Sequence, residues 1–256
     1  MSLIDDKGFD MEVADSAITG AKEATTQQAR QLADYIIETR LEPLPLPEEF
    51  FYASLPLCVV DAVFSIGVTY TSTANTVTRF CKRQDWVKSL SPDAPRQTGE
   101  HSISEFLALF DDLTPEQMVD NLFGNRQRTS SRSGILKAEA VQRFAAELLE
   151  SGINDFGDIS DARLAGAESL IREIPGQRSG ISFDYFRMLA GDDNLIKPDR
   201  MVQRYIARAL GGKPEQATPD LARTVLQGAI SALEERGYPW SPRQLDYAMW
   251  SVESGN

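Results

Sequence analysis

Ile174-Pro175-Gly176-Gln177-Arg178-Ser179-Gly180, followed by Lys197-Pro198-Asp199-Arg200-Met201-Val202-Gln203-Arg204, is the stretch that decides how this chain is read. In the first segment a glycine lies just past one apolar-periodic run and small residues open the next, which predicts a short hairpin between two helices. Such a turn presents backbone N–H groups at a helix N-terminus, a ready phosphate site; the same composition also serves a loop that merely connects. In the second segment Asp199 follows Pro198 at the start of a further helix. There a carboxylate suits an N-cap, and it equally suits a fixed charge for chemistry.

Outward from this stretch the apolar spacing is helical. Gln27 to Arg40 sets Ala29, Leu32, Ala33, Ile36 and Ile37 on one face, and Pro43, Pro45 and Pro47 end it. Leu55 to Phe64 is apolar with Pro56 in its first turn. The β-branched residues up to Val77 also permit a strand, but the absence of repeated hairpin-turn signals favours helix. Further helices are predicted over 102–111, 115–123 (Thr114 capping, Pro115 first), 135–151, 160–173, 179–190, 199–210, 218–236 and 241–252. Several end at glycines: Gly152, Gly191, Gly211-Gly212 and Gly237. Residues 1–24, acidic and small without an apolar period, read as an arm. The fold class is all-α, without an internal repeat.

The chain of 256 residues is long enough for one folding unit with a substantial core. No apolar run approaches the roughly 18 residues of a membrane span, and Met1 to Asp15 carries acids where a secretory leader has base and then an apolar run. A cytoplasmic protein without a membrane partner is expected. Cys58 and Cys81 are too few for a disulfide framework or a four-thiolate cluster and read as packing thiols. His101, the single histidine, has no second imidazole to share a metal, so no metal site is expected. The net charge of −12 opposes generic nucleic-acid binding, but it is unevenly spread. Residues 1–50 hold 11 acids against 4 bases, whereas residues 51–256 hold 27 against 22. Within the latter, Arg126, Arg128, Arg132, Lys137 and Arg143 face only Glu139, interleaved with Asn125, Thr129, Ser130, Ser131 and Ser133. These are the donors that phosphate contacts need; a solvated basic loop is the plainer alternative.

Taken together, the hairpin and the aspartate resemble the helix-hairpin-helix base-excision glycosylases. Their hairpin is similar to Leu-Pro-Gly-x-Gly, matched by Ile174-Pro175-Gly176, and their aspartate lies in Val-Asp-x-x-Val-x-Arg, matched by Asp199, Val202 and Arg204. The interval from Gly176 to Asp199 agrees with the family within a residue. Ser65-Ile66-Gly67-Val68-Thr69 resembles an early helix end that faces DNA, and Lys137-Ala138-Glu139 resembles the opening of the helix that leads to the hairpin lobe. The resemblance spans residues 55–210. It implies a two-lobed fold, with a middle lobe at 58–182, a second lobe from 1–57 and 183–256, and substrate held in the cleft between. It also implies a monomer acting on double-stranded DNA through Gly176, Gln177, Arg178, Ser179, Gly180, Arg126, Arg128, Arg132 and Lys137, with Gly67 and Tyr70 at the base pocket.

The departures are specific. Arg178 replaces the hairpin's second glycine, which bears on the tight turn and on the monovalent cation that its carbonyls often hold. Gly67 stands where a glutamine wedge is usual. Two cysteines exclude the iron–sulfur cluster of some members, and no other cofactor is required. Gly180 occupies the place of the nucleophilic lysine of lyase-competent members, which implies a monofunctional enzyme.

Such an enzyme breaks a C1′–N bond through a transition state with positive charge on the sugar. A fixed carboxylate stabilises that charge and orients or deprotonates the attacking water; Asp199 is the catalytic candidate, with a plain N-cap as its alternative. A flipped base needs aromatic walls. Of Tyr52, Phe64, Tyr70, Tyr185, Phe186, Trp240 and Trp250, Tyr70 follows the DNA-facing helix end and is the one selected. The resemblance also admits bacterial enzymes that excise glucosylated hydroxymethylcytosine from phage DNA as antiviral defence, with repair of alkylated, oxidised or deaminated bases as the alternative. Two other classes stand beside this reading: a non-catalytic helix-hairpin-helix DNA-binding module, and an acidic helical interaction protein.

Overall fold

The computed structural model describes residues 8–91, 101–131 and 133–255, with side chains from Glu23 onward. Among them are eleven α-helices and no β-strand. In chain order the helices are α1 (Gly8–Glu38), α2 (Leu55–Phe64), α3 (Tyr70–Gln84), α4 (Ile103–Ala108), α5 (Pro115–Met118), α6 (Lys137–Glu150), α7 (Asp161–Ile171), α8 (Ile181–Leu189), α9 (Arg200–Ala209), α10 (Pro219–Glu235) and α11 (Pro242–Ser254). The all-α expectation is therefore met. α1 starts at Gly8, well ahead of Gln27, so the part of the expected arm that is described is helical. Its run of Ala, Glu and Lys favours helix without an apolar stripe.

The chain divides into two compact units. One holds the chain up to Pro45 and again from Ile196; the other is Leu46–Leu195. These boundaries differ from the 57/58 and 182/183 divisions that the sequence implies. Residues 46–57 lie with the second unit because Ala53 N–H donates to Lys88 O at 3.0 Å, Leu90 N–H to Phe51 O at 2.8 Å, and the buried Tyr52 hydroxyl to Asp61 at 2.8 Å. Residues 183–195 lie there because α8 packs on α2.

α2 is the axis of the second unit. All ten of its residues are buried, and α3, α4, α6 and α8 surround it; a helix apolar all round belongs in a core. Around it Phe64, Phe80, Phe106, Phe110 and Phe123 form a connected ring cluster with centroids 4.9–6.1 Å apart. His101 lies flat on Trp86 at 3.9 Å at its margin. Beyond α5 the chain continues as one π-turn over Val119–Phe123, so the predicted 115–123 helix is two elements. Arg79 closes that end, donating to Phe123 O at 2.8 Å and Gly124 O at 3.0 Å. Cys58 and Cys81 are buried and not joined in a disulfide, and burial pushes the Cys81 thiol up to about 11.

The other unit packs α1 along α10, with α9 and α11 completing its core. Leu32, Ile36, Val202, Tyr205, Ile206, Leu226, Leu233, Leu245 and Met249 fill it. Gly228 permits the close approach of α10 to α1, since a Cβ there would stand 2.7 Å from that of Ala29. No described helix is long and apolar enough to cross a membrane.

Candidate nucleic-acid interface and acid pair

In the Leu46–Leu195 unit, the structure brings together three segments that the sequence assigns to DNA: the turn after α2, the basic loop before α6 and the hairpin before α8. Loop 125–136 folds back on itself, with Thr129 N–H on Ile135 O at 3.0 Å, Lys137 N–H on Gln127 O at 2.8 Å and a bridge between Arg128 and Leu136. Asn125 and Gln127 tie it to the start of α3, donating to the hydroxyls of Thr76 (2.8 Å) and Ser72 (3.0 Å). On its other side Gly176 abuts Thr129. A Cβ at Gly176 would meet the Thr129 Cβ at 2.4 Å, and its φ of +91° already excludes most side chains.

The individual side chains divide sharply. Arg126, Arg128, Arg178 and Ser179 are exposed. Arg126 pairs with Asp120 at 2.7 Å, and Arg128 donates to Gly134 O at 2.9 Å. Lys137, by contrast, is 1% exposed. Its ammonium donates to Phe64 O (2.8 Å), Ile66 O (2.7 Å) and Gln127 Oε1 (3.2 Å), closing the carbonyl end of α2. A buried ammonium occupied in this way does not reach a phosphate, so the role that the sequence gives Lys137 is corrected to an internal clamp. Gln177 is also buried, its side-chain oxygen accepting from the Ser182 hydroxyl, so it faces the interior. Thr129 Oγ1 and Gln177 Nε2 are buried without a hydrogen-bond partner among the described residues, so this joint is close-packed but incompletely bonded. Arg132 lies outside the described residues, and Arg143 pairs with Glu139 one turn away on α6.

The hairpin closes by Gln177 N–H on Ile174 O (2.9 Å) and Gly180 N–H on Gln177 O (3.0 Å), so two of its carbonyls are engaged within the turn. Gly180 precedes α8 at φ +74°, and a Cβ there would lie 2.5 Å from the Arg172 guanidinium. The backbone conformation disfavours a side chain at the position where the resemblance implies a lysine nucleophile, whereas the end of the Arg172 side chain could move aside. At the end of α2, Gly67 is exposed at φ +68° with open space around it. Tyr70, half-buried at the start of α3, leans on Phe50 at 5.6 Å. Behind it the buried Asp61 accepts from Tyr52 at 2.8 Å, with Tyr185 at 3.4 Å. Burial, then the Asp61 charge, holds the Tyr52 hydroxyl well above its usual pKa. Phe64, Phe186 and Trp240 are core residues, and Trp250 stacks on Tyr247.

Asp199 lies in the other unit, as the N-cap of α9. Its Oδ1 accepts from Met201 N–H at 2.8 Å and Val202 N–H at 3.2 Å, leaving the second oxygen outside the cap. Val202, Tyr205 and Ile206 anchor the helix in the core, so the half-buried carboxylate has a rigid base. Sequence reading missed its neighbour Asp246. This residue of α11 is 8% exposed and accepts the Lys197 N–H at 2.8 Å. Burial and then the charge of Asp199 push the Asp246 carboxyl up to about 8, against the opposing influence of the Lys197 N–H, the Lys197 charge and Arg243. The only local sign was an acid among the apolar positions Leu245, Ala248 and Met249. Among the described residues no His, Cys, Asp and Glu cluster has the makings of a metal site.

No curated protein and no solved structure matches the chain. A family model described as "Domain of unknown function (DUF8548)" matches residues 30–254, from within α1 to the last residue of α11. Both units are thereby included, and the chain belongs to that family.

Proposed function

We propose that this chain is a monofunctional DNA glycosylase that hydrolyses the N-glycosidic bond of a flipped base in double-stranded DNA and leaves an abasic site. The observation that carries the reading is the setting of Asp199. A carboxylate is held by two N–H donors at the head of a core-anchored helix, with one oxygen outside the cap. A carboxylate so fixed stabilises developing positive charge without reorganising, and it orients or deprotonates the attacking water. The juxtaposed turn, basic loop and hairpin support it, since their exposed Arg126, Arg128, Arg178 and Ser179 supply phosphate donors on one stretch of surface. Gly180 supports the absence of a Schiff-base step.

The test is to incubate the protein with duplexes carrying modified bases, treat them with alkali to cut abasic sites, and repeat with Asp199→Asn. Alkali-dependent strand cleavage that vanishes in the variant is the expected result; cleavage at the wild-type rate by the variant would overturn the role of Asp199. Glucosylated phage DNA, the same DNA without glucose, and duplexes with uracil or alkylated purines are the substrate arms. We propose the first as one candidate substrate, in keeping with the room left by Gly67 and the donor added by Arg178, with ordinary repair of the last as its alternative. One observation favours a second reading, a DNA-binding module without chemistry: the cap alone accounts for both hydrogen bonds of Asp199. Retention of duplex without abasic sites would identify that module.

A further inference from the structure

The hydrogen bond from Lys197 N–H to Asp246 Oδ1 joins residues 49 apart in the chain, and it falls two residues ahead of Asp199. The intervening turn is tight, with Asp199 N–H on Lys197 O at 2.6 Å and the Gln203 side chain on Pro198 O at 2.7 Å. The direction in which the Asp199 carboxyl leaves the chain therefore depends on where Lys197 is held, and α11 holds it. Resting on the glycosylase reading for its chemical consequence, we propose that Asp246 is a positioning residue that fixes the Lys197-Pro198-Asp199 segment and thereby aims the Asp199 carboxylate.

A surface hydrogen bond would do this loosely. Asp246 does it from inside the protein, packed among Leu245, Ala248 and Met249 on a helix that itself packs on α9. The charged groups acting on it are Asp199, from the head of α9, Lys197, from the segment before it, and Arg243, one turn earlier on α11. With its carboxyl raised to about 8, chiefly by burial, Asp246 holds its proton at neutral pH, and a second negative charge is kept away from the first. The neutral acid still accepts the Lys197 N–H. The linkage has a definite sign. A carboxyl raised from 3.8 to about 8 on folding contributes stability that is fully present below about pH 4 and is lost as pH rises through about 8.

The experiment compares wild type, Asp246→Asn and Asp246→Ala by two readouts: single-turnover base release against duplex affinity, and exchange protection of the Lys197 amide. Asn keeps an acceptor for Lys197 N–H and should restore most of the rate, with stability that no longer falls between pH 4 and 8. Ala removes the acceptor and should lower the rate about 10- to 100-fold at unchanged duplex affinity, with loss of Lys197 amide protection. If Ala leaves both the rate and the amide protection at wild-type levels, Asp246 positions nothing. An unprotected Lys197 amide in the wild type would likewise overturn the anchor. Should the wild type release no base from any duplex, the glycosylase reading falls alone, because amide exchange still decides whether Asp246 holds the segment. If the Ala chain does not fold, the Asn variant and the exchange protection of the Lys197 amide in the wild type carry the test.

Discussion

Loop 125–136 and the head of α9 both carry residues that the sequence assigns to DNA, and they use them in opposite ways. The loop is rich in donors that lie close together in sequence, yet Lys137, which follows it at the start of α6, is turned inward onto two carbonyls of the α2 end, and Gln127 and Asn125 are tied to α3. The head of α9 has one short acidic signal, and its neighbours arrive from a helix 49 residues later. Local density of polar residues therefore measures how a loop is braced as much as what it binds. The surroundings of Asp199 are assembled across sequence distance, from its own helix and from α11.

The comparison breaks most decisively at Asp199. Asn keeps the cap acceptor but removes the charge, so fold and duplex affinity should persist while base release falls about 10²-fold or more; single-turnover rates measure this. Lys137, just after the loop, should respond in the opposite sense. Removing its ammonium in Lys137→Met leaves the buried carbonyl of Phe64 and the half-buried one of Ile66 without this donor, a loss of about 2–3 kcal/mol. Chemical denaturation should show the loss, while the salt dependence of DNA binding by the folded fraction stays that of wild type. A change in the salt slope would put Lys137 back among the phosphate contacts.

The contrast also explains what was legible from sequence. Most helix starts were, because their signals are local: Ser102 with Glu105, Thr114 with Gln117 and Ser241 with Gln244 form capping boxes, and Pro115, Pro219 and Pro242 occupy first turns. α2 was legible as a buried helix from Pro56 and an apolar run interrupted only by Asp61. The start of α1 was not, since residues 8–24 favour helix without an apolar period. Lys137 was misread because lysines are almost never fully buried; the two carbonyls that draw it in lie 73 and 71 residues earlier. Asp199 was legible as a position, but Asp246 was not, since nothing within its own helix points to Lys197.

A smaller effect tests the joint between hairpin and loop. Gly176→Ala places a methyl where Thr129 already stands, at a φ of +91°. The backbone strain alone is about 1–2 kcal/mol, and the contact forces the hairpin off the loop. Thermal stability should fall modestly and duplex affinity should fall with it, since the two donor groups no longer share one surface. An affinity unchanged in the folded variant would mean that hairpin and loop bind independently or not at all.

The smallest expected effect is the most informative about the loop. Arg126 and Arg128 are its exposed cations, and each already has a partner: Asp120 at 2.7 Å and Gly134 O at 2.9 Å. The Arg126–Asp120 pair is exposed on both sides, with side chains 65% and 59% accessible, and such pairs are worth about 0–1 kcal/mol, so exchanging Asp120 for a phosphate costs little. Replacing both arginines with glutamine should therefore leave folding stability nearly unchanged. Each lost phosphate contact should lower the steepness of log affinity against log salt by about 0.9, uniformly across DNA sequences. Asp120→Asn should act in the opposite direction, releasing Arg126 and tightening binding slightly at low salt. If neither change alters the slope, the loop's exposed cations serve the fold's surface, as the buried Lys137 serves the end of α2, and DNA contact rests on the hairpin's Arg178 and Ser179.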